Sequence, residues 1–186
     1  EIVVTGSRIT RNGYEAPTPV TVAAAEDLLK SSPTGLPDAL NKLPQFVGST
    51  GPNKQANIFG TPNHGNILNL RGIGPTRTLI MLDGVRAPPT TYLNTVDVNL
   101  FPTLLVDRVD VVTAGASSVY GSDAVSGVVN FVLNSRFTGV KALLQGGMST
   151  RGDAENRRAG LAFGTAFAED KAHFIASADI NVQNGY

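Results

Sequence analysis

Residues 172–183 alternate almost strictly between apolar and polar. Ala172, Phe174, Ala176, Ala178, Ile180 and Val182 fall on one side. His173, Ile175, Ser177, Asp179, Asn181 and Gln183 fall on the other, with Ile175 the one breach. Residues 158–167 repeat the pattern, setting Ala159, Leu161, Phe163, Thr165 and Phe167 against Arg158, Gly160, Ala162, Gly164 and Ala166. Residues 140–149 follow it less cleanly, with Leu143 on the wrong side. A period of two belongs to a strand whose faces meet different surroundings. These stretches exceed the usual strand of about 5–6 residues and match the ~9–11 residues that a tilted strand needs to cross a bilayer. Two readings fit the pattern: the wall of a membrane barrel, or a soluble meander with one wet face. The tight link at 168–170 and the longer, charged one at 150–156 suit a barrel, with short turns on one side and longer loops on the other. Three strands cannot close a barrel, so the membrane reading expects further strands after Tyr186.

The first 133 residues have another texture. Ala25–Lys30 reads as a helix, with Glu26 and Asp27 leading and Lys30 trailing as the helix dipole prefers. Its N-cap is poor, because Ala24 stands where Ser or Thr is favoured. A second helix is predicted over 36–43, with Thr34 near its start and Pro44 ending it. Residues 47–66 read as loop. Ile67–Arg71 and Arg77–Asp83 read as buried strands, the second closing on an Asp83-Gly84 turn. Residues 87–99 return to loop. Leu104–Val112 reads as a short helical turn running into a strand, and Gly127–Leu133 as a further strand. The join between the two textures lies near residues 134–139.

Composition narrows the function classes. The 186 residues are 41% apolar but only 16% charged, below the usual quarter of a soluble domain. The 15 basic and 15 acidic residues balance, so nucleic acid is not an expected partner. Cysteine is absent, which removes disulfides and thiolate metal sites. Enzyme motifs fail one by one. Gly72-Ile-Gly74-Pro-Thr-Arg77 starts like a dinucleotide loop, but Arg77 replaces the third glycine and a strand follows where a helix should. Ser117-Ser118-Val-Tyr120 has the Ser/Tyr pair of a short-chain dehydrogenase, yet Ala124 stands where its lysine belongs. No Gly-x-Ser-x-Gly elbow exists. His64 and His173 are the only histidines, and neither has Asp or Glu at ligand spacing. No catalytic residue, metal site or cofactor is expected.

At Asn69-Leu-Arg-Gly72, at Leu79-Ile-Met-Leu-Asp-Gly-Val-Arg86 and from Val109 through Gly121 to Gly127-Val-Val-Asn-Phe-Val132, the chain resembles a TonB-dependent outer-membrane receptor. The order and spacing of three separate motifs carry the likeness. It implies an α+β plug domain, a small mixed sheet with short helices, over residues 1–136. Residues 137–186 would be the first three antiparallel strands of a transmembrane β-barrel of about 22 strands. It further implies active transport of a scarce nutrient (siderophore, vitamin or saccharide) across the outer membrane of a Gram-negative cell. The implied partners are a TonB-like energy transducer on the periplasmic side, an imported small-molecule or oligosaccharide ligand, and outer-membrane lipid.

The chain opens EIVVTGSR, a run of β-formers where termini usually fray. Glu1, Ile2, Val3, Val4, Thr5 and Gly6 are similar to the end of the transducer-binding box of the family. An extended peptide of this kind adds to a partner's sheet edge. Four or five backbone hydrogen bonds at ~0.5–1.5 kcal/mol net each give a few kcal/mol, a reversible coupling. The alternative is that Ile2–Thr5 pairs within the plug sheet. Arg71 matches the arginine that meets barrel glutamates in the family's plug–barrel charge cluster. Thr113-Ala-Gly115 stands where many relatives carry Arg-Gly-Pro, so the second arginine of that cluster is absent. Outward plug loops bind ligand in the family. By position these are residues 57–66 and 87–95, with Asn63, His64, Tyr92 and Asn94 the candidate contacts. Their amides, imidazole and phenol offer neutral hydrogen bonding, which favours an uncharged or polyhydroxylated ligand. A second function class is a soluble module that binds a partner through its β edge.

Overall fold

The computed structural model describes residues 20–31, 35–46, 48–51, 65–113, 116–147, 155–167 and 171–183. Strand β1 is Val20–Ala24, followed by helices α1 (Ala25–Ser31) and α2 (Leu36–Asn41). Strands β2 (Thr78–Leu82), β3 (Val85–Arg86) and β4 (Val106–Val112) come next, then helix α3 (Ser117–Tyr120) and strand β5 (Gly127–Leu133). These strands form one mixed sheet in the order β1-β4-β5-β2-β3, in which only β2 and β5 run parallel. Strands β6 (Gly139–Gly147), β7 (Asn156–Phe167) and β8 (Ala172–Gln183) form a separate antiparallel meander.

The near-continuous apolar runs of β2, β4 and β5 follow from burial on both faces. One face sends Ile80, Val109, Val111, Val129 and Phe131 into a cluster with Leu28, Leu36, Leu40 and Phe46. The other sends Leu79, Met81, Val112 and Val128 against Ala116, Ala124 and Tyr120. Helices α1 and α2 thus roof one side, while α3 and the 122–124 turn cover the other. The β2–β3 hairpin turns on Asp83 and Gly84, at φ 49° and 75°, the doubly left-handed geometry that suits strand twist. The Asp83 carboxylate accepts from the Leu133 amide at 2.7 Å, and Asn130 Oδ1 accepts from the Gly84 amide at 2.9 Å. The turn is thereby stitched to β5.

Two expected elements differ. Ile67–Arg71 is not a strand: Ile67 makes isolated bridges to Thr50 and Asp97, and Leu70–Gly72 form a 3-10 turn. Arg71 and Gly72 have φ of 58° and 69°, which no extended strand accommodates. The Leu70 amide is taken by Thr78 Oγ1 at 3.0 Å instead of by a neighbouring strand. Helix α2 stops at Asn41 rather than reaching Leu43. The amides of Lys42 and Leu43 bond three residues back, to Ala39 and Leu40. This tightening precedes a 3-10 turn over Pro44–Phe46. The N-cap of α2 is Gly35, at φ 131° with no side-chain cap bond, and Thr34 lies outside the described residues. So do both expected links of the meander, apart from Glu155 and Asn156 at the end of the longer one.

The meander has two unlike faces. Val140, Leu144, Leu161, Phe163, Phe167, Phe174, Ile180 and Val182 share one face through the observed register, and all are 44–85% exposed. The opposite face carries Gln145, Asn156, Arg158, Ser177 and Asp179, and it packs on the first sheet's connections. Leu104 and Leu105 press there on Ala162, with Leu133, Phe137, Leu143 and Ile175 around them. Leu143 and Ile175, the two breaches of the alternation, are the apolar contacts this turn requires.

Candidate functional site

Asn66, the last residue of the first loop singled out from sequence, meets the end of the second loop at a shared base. Thr50 and Ile67 flank the segment 52–64 and exchange backbone hydrogen bonds of 3.0 and 3.2 Å. Ile67 bridges in turn to Asp97 at the end of the second loop. Asn66, only 3% exposed, ties the pieces together. Its amide donates to Asp97 Oδ1 at 3.0 Å and its Nδ2 to Asn99 Oδ1 at 2.7 Å. Asn41 Nδ2 of α2 donates to Asn66 Oδ1 at 3.4 Å. Burial shields the Asn66 end of these bonds from water, while Asn99 stays exposed. A Cβ on Gly51 would stand 2.7 Å from Asn66 Oδ1, so this position admits only glycine without a shift.

The second loop is held by its threonines. The amides of Thr90 and Thr91 both donate to the Thr95 carbonyl, at 2.9 and 3.2 Å. The Thr91 and Thr95 hydroxyls meet at 2.7 Å. Tyr92 stands on this loop and is 76% exposed. Asn94 takes φ 56°, a conformation asparagine tolerates better than most residues. It borders a cleft of about 510 Å³ with Thr76, Arg77, Arg86, Ser122 and Asp123. Arg86 pairs with Asp123 and also donates to the Tyr120 carbonyl at 2.8 Å. Two guanidinium groups against one carboxylate leave the cleft one positive charge over, which the neutral hydrogen bonding expected from sequence did not include.

Arg71 is exposed, and its Nη2 donates to the Ser126 carbonyl at 3.0 Å. Ser126 is fully buried, bonding Thr78 Oγ1 at 2.9 Å and the Arg77 carbonyl at 2.6 Å. A buried network therefore anchors the carbonyl that receives the guanidinium end of this side chain. Asn63, His64 and Glu1, Ile2, Val3, Val4, Thr5 and Gly6 lie outside the described residues. Tyr92 and Asn94 are thus brought together on one loop.

Sequence reasoning missed an ion pair on the inner face of the meander, with its arginine buried and its carboxylate partly exposed. Arg158 Nε donates to both Asp179 oxygens at 3.0 and 3.1 Å, and Nη2 to Oδ2 at 2.5 Å. The Arg158 side chain is 3% exposed. Both residues were legible as polar-face positions, but their pairing needs the β7–β8 register. Among the described residues, no cluster of His, Cys, Asp or Glu that could hold a metal ion is present. No helix among them is long and apolar enough to cross a membrane, which says nothing of strands.

The family model described as TonB-dependent Receptor Plug Domain matches residues 12–128. The chain belongs to this family. Its fold is similar to that of the ferric enterobactin receptor PfeA of Pseudomonas aeruginosa, solved as a point mutant with enterobactin. That match has a TM-score of 0.66 at 20% identity and covers 88% of this chain and 24% of PfeA. The siderophore receptor PirA of the same organism matches at TM-score 0.60 and 23% identity, over 92% of this chain and 30% of PirA. PirA of Acinetobacter baumannii matches at 0.65 and 22%, over 87% and 24%. The plug and its following strands therefore span between 24% and 30% of these receptors' length. As expected from sequence, a mixed-sheet plug with short helices leads into antiparallel strands.

Proposed function

We propose that this chain is the gate and first wall segment of a TonB-dependent importer in the outer membrane. Residues 1–136 form the plug and 137–186 the first three strands of a barrel of about 22 strands. The observation that carries this reading is the one-sided meander. Its bare apolar face suits lipid, while its polar face packs on the plug. A contiguous exposed apolar surface of this kind marks an interaction surface or membrane rather than open water.

The transducer binds Glu1–Gly6 by strand addition and pulls the plug from the periplasmic side. Arg71 reaches barrel carboxylates, because a guanidinium in a partly dry lumen needs anionic partners. Asn63, His64, Tyr92 and Asn94 contact the nutrient on the outward loops. The Asn66 node supports this assignment by giving both loops one rigid root. The importer is a transporter and performs no covalent chemistry on its cargo.

Uptake by cells expressing the full-length receptor tests the function directly. The panel consists of ferric siderophores, cobalamin and oligosaccharides, each with and without an active transducer. Transducer-dependent uptake of a panel member is expected; its absence for all of them contradicts transport of these classes. Val3→Pro removes a strand donor and is expected to abolish capture by the transducer's C-terminal domain. Unchanged capture would refute the assignment of Glu1–Gly6.

A further inference from the structure

We propose that the cleft beside Asn94 binds a carboxylate group of the cargo, with Arg77 as its main contact. The proposal rests on the importer reading and adds the chemical class of what is imported: a cargo that bears a carboxylate, not a neutral one.

The cleft has the make-up of a small-molecule site. Its volume is about 510 Å³, and Pro75, Ala87, Pro89 and Leu93 give it apolar walls. Its polar groups converge from three separate segments. Thr76 and Arg77 precede β2, Asn94 stands on the 87–95 loop, and Ser122 and Asp123 belong to the 3-10 turn at 122–124. Buried Ser126 ties the first of these segments to the last. Its amide and its hydroxyl both donate to the Arg77 carbonyl, at 3.0 and 2.6 Å. The backbone of Arg77 is thus fixed while its side chain is left for another partner.

Charge decides what that partner is. Asp123 is taken by Arg86, which also donates to the Tyr120 carbonyl. Arg77 is exposed and forms no ion pair among the described residues, so it carries the spare positive charge of the cleft. A guanidinium presents a planar fork of donors that matches the two oxygens of a carboxylate. Apolar walls strengthen that attraction by lowering the local dielectric. A neutral, polyhydroxylated cargo would leave the charge unanswered.

The topology turns the cleft away from the transducer. Strand β2 runs parallel to β5, and β5 ends at the short connection into β6. Gly139, at the start of β6, pairs with Gly164 near the β7–β8 link at 168–170. Short links of this kind lie on the periplasmic side of a barrel. The start of β2, where Arg77 stands, therefore points the other way, toward arriving cargo.

The test uses purified full-length receptor with no transducer, so it does not depend on transport. Phenylglyoxal modifies accessible guanidinium groups, and mass spectrometry of the digested protein gives the rate at each arginine. Citrate is the carboxylate probe and glucose the neutral one, at matched ionic strength. Citrate is expected to slow modification of Arg77 at least fivefold, and of Arg136, outside the cleft, less than twofold. Glucose should leave both within twofold. Equal slowing of the two arginines by citrate, no slowing at Arg77, or equal protection by glucose would overturn the proposal. So would an Arg77 that is unreactive without citrate, because the rest of the barrel would then already hold its charge. Asp123→Asn removes the competing carboxylate and should lower the citrate concentration that half-protects Arg77 at least threefold. An unchanged or higher concentration would contradict a site held by charge. If citrate protects Arg77 but an active transducer brings about no uptake of any panel member, the site stands and the importer reading fails.

Discussion

Strands β5 and β7 both send successive side chains to opposite faces, yet β5 is covered on both sides and β7 on one. Val128 and Val129 are each 0% exposed although they point in opposite directions. Leu161 and Ala162 are also neighbours, but the first is 54% exposed and the second 1%. Side-chain period alone does not say what solvent a face meets. What separates the regions is which residues occupy the uncovered face. Leucine, phenylalanine, isoleucine and valine there suit hydrocarbon, whereas a soluble sheet turns such residues inward.

The largest expected effects fall on buried groups. Phe131→Ala should cost the plug about 3–5 kcal/mol, because its ring is 1% exposed and stacks edge-on to Phe101 with centroids 4.9 Å apart. Denaturant-dependent hydrogen exchange of plug amides in the full-length receptor measures it, and an unchanged profile would contradict the buried-sheet assignment. Asp179→Ala should also cost about 3–5 kcal/mol by stranding the Arg158 guanidinium, whose side chain is 3% exposed. The double variant Arg158→Met/Asp179→Leu should recover most of that loss, and additive losses would show that the pair is not coupled.

Leu161→Arg sharpens the comparison most, because the two surroundings give opposite results. Facing lipid, it should cost ~2–4 kcal/mol near the bilayer midplane and lower the fraction of receptor folded in the outer membrane. On a water-facing sheet the same change would be nearly neutral. The smallest effect is at the hairpin. Asp83→Ala removes the acceptor for the Leu133 amide and should cost ~1 kcal/mol, seen as faster exchange at that amide.

Much of the fold was legible because its signals are local. The apolar runs at 78–82 and 127–133 lie beside turn residues, Asp83-Gly84 and Gly121 through Gly127. Ile67–Arg71 misled because its apolar residues serve two isolated bridges and a buried Leu70, while the backbone turns left-handed at Arg71. Leu143 and Ile175 looked like flaws in a pattern. Their reason is Leu104 and Leu105, which local periodicity cannot report. The loop site was legible as polar loops, but its root was not. Asn66, Asp97 and Asn99 meet across about thirty residues of chain, and nothing near Asn66 in sequence announces that meeting.

The outward-lipid face of β6–β8 is tested most directly by a nitroxide scan over residues 174–181 of the full-length receptor in lipid vesicles. Collision with oxygen and with a water-soluble nickel complex is read at each site. Positions 174, 176, 178 and 180 should favour oxygen, with 175, 177, 179 and 181 shielded from lipid. Ready access of the nickel complex to the even-numbered set would place that face in water and contradict the importer.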